Sequence, residues 1–474
     1  MKLTIIFQKY LIYNITMIKD LTKGEPLKLI LLFSVPLLIG NIFQQLYNIA
    51  DIVIVGRTLG VDCLAAVGAV APLFFLIMFA VVGLNNGFAV ITGQKFGAKD
   101  FDGVRRSVAI STILSTIFTI IFTILCTVFM KPILFIMNVP QNIIHNAYWY
   151  IQICVWGLVT VNFYNLLASI VRALGDSKTP LYFLILASIL NVFLALLFIL
   201  KFGWGVPGSA IAVVLSQGFS ALLCVFYIKL KFPILHMRKS DWEFNLLHNK
   251  EDIKFAKEHL AVGIPMVIQF TVIGLGVLII QSVCNSFGAN VIAAFTAALR
   301  IEQIATMPMI SFGIALAAFV AQNFGAEKIS RIRQGVIRSS IINIILSLVM
   351  AFIMHNFGSS IVQLFIGNQS RQVVKIAHDY LWISSIFYFF LGQIFIFRNA
   401  LQGMGRPLIP LTSSFAELMI RSYAAVYLAV KYSYFGIFYA GPIAWITASI
   451  ILTIGYFINI KKLIKKQLQR KYTS

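Results

Sequence analysis

Charge is what this chain has least of. Only 11% of its 474 residues are Asp, Glu, Lys or Arg, against roughly 25% in a soluble domain, so a water-facing surface cannot be built from it. Acidic residues are the scarcer kind, 16 against 38 basic ones. Cysteine is sparse too, with five residues. Cys63, Cys126, Cys154, Cys224 and Cys284 fall in or at the ends of apolar runs without paired ligand spacing, which excludes a cysteine-rich metal centre and leaves packing as their role. The chain also lacks a GxxxxGKS/T phosphate loop, an HExxH pair and a GxSxG elbow. Neither ATP hydrolysis nor familiar hydrolase chemistry has residues to carry it, so no enzyme, cofactor or metal site is expected, and any pumping would have to draw on an ion gradient.

What the chain has is hydrophobicity. Apolar residues make up 59%, and a spanning helix needs about 20 of them in a row. The sequence divides into twelve such runs: 27–56, 62–92, 104–130, 146–171, 179–200, 205–228, 258–284, 290–320, 334–356, 376–400, 407–430 and 436–460. The fold class this predicts is an all-α integral membrane protein with twelve transmembrane helices.

The formal net charge of +22 suggests nucleic acid until its placement is read. Lys and Arg in alternate connections, with those near span ends counted in the adjoining connection and starting from the N-terminal tail, number 5, 4, 2, 7, 4, 2 and 6, whereas the connections between hold 1, 1, 1, 0, 2 and 1, which leaves only Arg300 and Arg421 to the spans. That alternation is the positive-inside rule. It puts both termini in the cytoplasm, and it accounts for the basic excess without nucleic acid. The division expected is a cytoplasmic tail (1–26), a six-helix lobe (27–230), a cytoplasmic linker (231–257) with the weakly amphipathic Asp241-Trp242-Glu243-Phe244, a second lobe (258–460) and a basic tail (461–474). Residues 1–16 hold a short, interrupted apolar stretch with no small-residue cleavage site, which reads as an extension and not a signal peptide.

The chain repeats itself. Gln94-Lys95-Phe96-Gly97-Ala98 returns 228 residues later as Gln322-Asn323-Phe324-Gly325-Ala326, and at the same shift Val55, Gly60, Ala65, Ala66, Ala69, Arg105 and Val108 meet Val283, Gly288, Ala293, Ala294, Ala297, Arg333 and Val336. Six crossings per half return the chain to its starting side, so the halves are parallel repeats forming two pseudo-symmetric six-helix lobes about an axis along the membrane normal.

Polar residues within spans are costly and persist mainly where they line a cavity or are paired. On the first span Asn41, Gln44, Asn48 and Asp51 recur at intervals of three, four and three, which at about 100° per residue gathers them, with Gln45, on one side of the helix. Such a stripe either bonds neighbouring helices or lines a cavity; Asp51, a carboxylate that can take a proton or a small cation, favours the cavity. The second half has Ile279 at the matching position and places its acids elsewhere. Glu302 reads either as a lobe-lobe tether or as a substrate or proton site, Arg300 points to another face, and Glu417 is placed to pair with Arg421 four residues on. Tyr47, Phe163, Tyr164 and Tyr388 are the aromatic candidates for a cavity that binds flat, cationic molecules. Pro36, and the cluster Gly83, Asn85, Asn86 and Gly87, offer places to bend.

The run from Pro36 through Gln45-Leu46-Tyr47-Asn48-Ile49-Ala50-Asp51, then Val55-Gly56, Leu64-Ala65-Ala66-Val67-Gly68, Gly93 to Ala98, Arg172-Ala173-Leu174-Gly175-Asp176, Arg300-Ile301-Glu302 and Gln402-Gly403-Met404-Gly405, resembles the multidrug and toxic compound extrusion (MATE) family over residues 25 to about 460. The resemblance implies an ion-coupled antiporter that expels amphipathic, often cationic drugs or toxins by alternating access. In many prokaryotic members the coupling-ion site combines the first-span acid, an Asn on the fifth helix, an Asp four residues later and a Thr on the sixth; the matching positions here read Asp51, Asn191, Ala195 and Val213. Two oxygen ligands are missing, which favours H+ over Na+ as the coupling ion. The expected partners are therefore a small-molecule cargo, the ion and membrane lipid, with the protein a monomer. A lipid-linked oligosaccharide flippase of the same superfamily predicts several cavity arginines, and a non-transporting receptor predicts large extramembrane regions; both fit less well.

Overall fold

In hydrocarbon every backbone N–H and C=O has to be satisfied within its own segment, so apolar runs of this length become helices even when rich in β-branched residues. The structure, a computed structural model, describes residues 19–245, 248–366 and 371–473; the reading of residues 1–16 lies outside these. Among the described residues the fold is fourteen α-helices joined by short turns: α1 (Pro26–Leu59), α2 (Val61–Gly97), α3 (Phe101–Ile136), α4 (Ile144–Trp156), α5 (Leu158–Ala173), α6 (Lys178–Leu196), α7 (Gly205–Lys231), α8 (Lys250–Asn285), α9 (Ala289–Gly325), α10 (Ile329–Ile366), α11 (Arg371–Ile386), α12 (Tyr388–Gly403), α13 (Leu408–Tyr432) and α14 (Tyr434–Thr473).

These make twelve crossings. Nine helices are long and apolar enough to span alone, and two pairs, α4 with α5 and α11 with α12, do so as bent units of 48° and 54°. The spans expected at 146–171 and 376–400 are thus each broken once, at Gly157 and at Phe387. The twelfth crossing, α13, is not among the nine, because it carries and buries Ser413, Ser414, Glu417 and Arg421. α6 ends in a π-helical turn, Leu197–Lys201.

The duplication is written in the backbone as well as in the sequence. Gly60 before α2 has φ 87° and Gly288 before α9 has φ 88°; Lys99 and Glu327, 228 residues apart, both take the left-handed conformation at φ 60° and 56°. Equivalent turns therefore close equivalent helices.

The chain forms two compact units, Ile39–Val267 and Leu21–Leu38 with Ile268 onward. Division at the linker follows the repeat but not the packing, because each boundary falls inside a helix, two residues beyond Pro36 in α1 and two beyond Pro265 in α8. Side chains of the repeated motifs give the reason. In the second unit Gln322 accepts from the Leu21 N–H at 2.9 Å, and Lys328 and Arg331 donate to the carbonyls of Thr22 and Gly24 at 2.9 and 2.8 Å, which anchors the start of α1 there. In the first unit Arg105 pairs with Asp241 at 3.2 Å and with Asp102, Arg106 pairs with Asp252 at 2.5 Å, and Ser107 meets His259 Nε2 at 2.8 Å, which anchors the linker and the start of α8. Asp241 is accordingly buried. Its replacement by Ala leaves the buried Arg105 with only Asp102; we expect a loss of about 2 kcal/mol in the stability of the first unit and faster protease nicking of the linker, measured by thermal unfolding and limited proteolysis.

α2 runs unbroken through Gly83, Asn85, Asn86 and Gly87, so this cluster is a packing seam and not a bend. Asn85 Nδ2 donates to Asn162 Oδ1 of α5 at 2.9 Å, while the glycines meet α8.

Candidate functional site

Each unit buries an acid, and the two are built differently. In the first, α1 presents Ile42, Leu46, Ile49, Ile52 and Val53 outward as its exposed face and turns Asn41, Gln44, Gln45, Asn48 and Asp51 inward, half-buried or buried. Gln44 Nε2 lies 3.5 Å from Asn48 Oδ1 along the stripe. At the C-terminal end of the stripe Asp51 is 8% exposed. Ser209 of α7 donates to Asp51 Oδ1 at 2.9 Å, the Tyr150 hydroxyl of α4 is directed at it from close by, and Tyr47, one turn earlier on α1, lies near. Hydroxyls, not a cation, reach this carboxylate.

Asn191 on α6 is fully buried, and neither its amide oxygen nor its nitrogen has a partner. One turn on, Ala195 shares an apolar cluster with Phe198 and Ala212, against which Ile54 of α1 packs. Such an orphaned amide in a dry interior costs roughly 1–3 kcal/mol and marks a place where a polar guest would be welcome. The sequence reading stops at Val213 and misses Ser209, one turn earlier on the same face of α7; the signal available was the i, i+4 spacing between them. The oxygens gathered in this region are those of Asp51, Ser209 and Tyr150, with Asn191 on the neighbouring helix.

In the second unit Glu302 of α9 is 8% exposed. Tyr380 of α11 donates to its Oε2 at 2.5 Å, and Oε1 has no partner. The Tyr380 ring stands edge-on to Phe295 and Phe438 at 5.1 and 5.4 Å, a wall that holds it over the acid. Tyr388 is fully buried with its hydroxyl unpaired. Arg300 is exposed and bonds to Gln303 at 3.4 Å, away from Glu302. Glu417 pairs with Arg421, as the spacing predicts, and also with Arg398 of α12 at 3.1 Å. Arg398 went unnoticed in the sequence because it lies near the end of a span, where it is counted with the charges of the adjoining connection.

The aromatic candidates separate. Tyr47 borders Asp51. Tyr164 packs with Ala168 and Ala221 and donates its hydroxyl to the Pro180 carbonyl at 3.0 Å, and Phe163 packs beside it against Phe183; this pair sits in the core of the first unit.

Two copies of a six-crossing unit, each sealing a carboxyl group in a polar pocket inside hydrocarbon, define a multi-pass membrane transporter built by internal duplication. The sequence model MatE matches residues 36–197 and again 265–428, so the chain belongs to the multidrug and toxic compound extrusion family. It is 31% identical over 447 residues to the probable multidrug resistance protein YoeA of Bacillus subtilis, covering 93% of this chain and 94% of that one. It is 23% identical over 390 residues to the multidrug export protein MepA of Staphylococcus aureus, covering 81% and 83%. Among solved structures it resembles an outward-facing multidrug resistance MATE transporter of the MOP superfamily, with a TM-score of 0.85 and 25% identity over 94% of this chain and 98% of that one.

Proposed function

We propose that the protein is a multidrug efflux antiporter of the bacterial cytoplasmic membrane, with both termini inside, exporting amphipathic and often cationic compounds in exchange for an incoming ion by alternating access. The observation that carries this reading is Asp51, a buried carboxylate whose partners are the hydroxyls of Ser209 and Tyr150, with no ion pair among the described residues. A carboxylate neutralised by arginine would be inert; this one is free to exchange one positive guest for another. An ion that neutralises Asp51 loosens the hydrogen bonds along the polar stripe and lowers the affinity for a cationic cargo, and its departure on the inner side restores that affinity. Each ligand shifts the equilibrium only by its differential affinity for the two states, so both have to act on the same charge.

H+ is favoured over Na+. Ala195 and Val213 remove two side-chain oxygens, and Ser209 returns one. A proton needs a single carboxylate, whereas Na+ would have to complete its shell from Asn191, backbone carbonyls and water. The deciding experiment is efflux of a fluorescent cation from proteoliposomes with the pH and Na+ gradients imposed separately: we expect transport with the pH gradient alone, and dependence on Na+ alone would overturn the assignment. Ser209→Ala removes a hydrogen bond to a charged group worth roughly 1.5–3 kcal/mol and should alter the apparent affinity for the ion by about ten-fold or more, read from the dependence of efflux rate on ion concentration.

A further inference from the structure

The second unit carries its buried charge the other way round. Arg398 of α12 and Arg421 of α13 share one carboxylate, Glu417. The three residues are 9%, 9% and 7% exposed. Two guanidiniums on one carboxylate leave a positive charge over, and Nε–H of each arginine is buried without an acceptor. A helix-to-helix tether needs one arginine; a second one in hydrocarbon is expensive unless an anion shares it. Glu302 lies close enough to feel the charge of Arg421, but its bond goes to Tyr380 and it satisfies neither guanidinium.

The surroundings supply a further donor. On α8 Gln269 is fully buried; its Oε1 accepts from Gln402, one turn beyond Arg398, at 2.9 Å, and its Nε2 has no partner. Two turns on, Gly276 faces Arg421, where a Cβ would meet Nη1 at 3.4 Å. At the repeat shift Gln269 and Gly276 occupy the places of Asn41 and Asn48 in the stripe of α1. The helix face that serves an acid in the first repeat thus serves two bases in the second.

We propose that this cluster is an anion site, taking the carboxylate or phosphate of a small amphipathic solute on Arg398 and Arg421, whose planar forks suit both groups. Arg421 lies about 20 Å from the start of α13 and about 17 Å from its end by helical rise, too deep for the phosphate of an undisturbed lipid.

The test is equilibrium binding of pyrenebutyrate to the purified full-length protein in phosphatidylcholine nanodiscs, compared with the uncharged pyrenebutanol. The acid should bind at least about ten-fold more tightly, a difference of about 1.4 kcal/mol, and Arg398→Gln or Arg421→Gln should erase the preference. Glu417→Gln is the discriminating variant: it releases both guanidiniums and should strengthen pyrenebutyrate binding, whereas a purely structural triad predicts no gain. Gly276→Val alters no charge and should abolish the preference by crowding the Arg421 guanidinium, which a Cβ there would already meet at 3.4 Å. Equal affinities for acid and alcohol in the unmodified protein overturn the proposal. So does a folded Glu417→Gln protein with unimproved binding, or loss of the preference in phosphatidylglycerol nanodiscs, which would assign the site to lipid. None of these readouts involves an ion gradient or Asp51, so the antiport reading stands or falls separately.

Discussion

Asp51→Asn should leave a well-folded protein that no longer couples. The amide has nearly the shape of the carboxylate and can still accept from Ser209, but it cannot exchange a proton or neutralise a cation, so the ion and the cargo lose the group over which they compete. Gradient-driven efflux of a cationic dye is expected to fall by at least about a hundred-fold, the effect of removing some 3 kcal/mol of differential binding. Stability should move the other way. A buried carboxylate without a cationic partner is a burden on the fold, so the thermal midpoint of the variant should equal or exceed that of the unmodified protein. Loss of transport with an undiminished midpoint separates a coupling role from a structural one, and unchanged efflux would remove Asp51 from the mechanism. Asp51→Glu gives the intermediate case: the charge is kept, but the longer arm carries it past the 2.9 Å contact with Ser209, so efflux should persist at reduced rate.

The residues that could be read from the sequence are those whose physics is local. Twelve crossings follow from apolar run length, and the inward stripe of α1 follows from spacing along one helix. The Glu417–Arg421 pair is one turn of α13. What stayed hidden depends on which helices touch. Nothing along the chain says that Ser209 reaches Asp51 across 158 positions, or that Arg398 joins Glu417 from another helix. The splitting of α1 and α8 between units is likewise invisible, because proline inside an apolar run marks a possible bend but not a change of partner. The repeated Gln-x-Phe-Gly-Ala motif was legible as duplication and silent about its task; only the packing reveals that each copy lies beside the basic side chains that anchor a chain segment entering the membrane.

Gly87→Val is expected to be the most damaging single substitution among the glycines of α2, and Gly68→Ala among the least. Both glycines lie in the same helix and differ in what stands opposite. A Cβ at Gly87 would fall 2.6 Å from the Cα of Gly263 in α8, and one at Gly83, a turn earlier, 2.8 Å from the carbonyl oxygen of Met266; at Gly68 it would meet nothing within 4 Å. The obstacles at Gly87 and Gly83 are backbone, which cannot rotate aside. Gly263 in turn admits the ring of Phe88, which a Cβ there would meet at 2.7 Å. This is the small-residue seam by which membrane helices approach closely enough for dispersion to bind them, since lipid gives no hydrophobic drive for association. Valine at 87 has to part the helices, at a cost of about 1–3 kcal/mol for overpacking, and it also pulls the start of α8 away from the contacts that hold it, His259 with Ser107 at 2.8 Å and Asp252 with Arg106. We therefore expect Gly87→Val to lower the thermal midpoint sharply and to reduce the yield of monodisperse protein. Gly68→Ala, which replaces a flexible residue in a helix interior by the best helix former, should raise stability by up to about 1 kcal/mol. If the two substitutions prove equally benign, the first half of α8 does not rest on α2, and the exchange of helix halves at Pro265 has no seam to hold it.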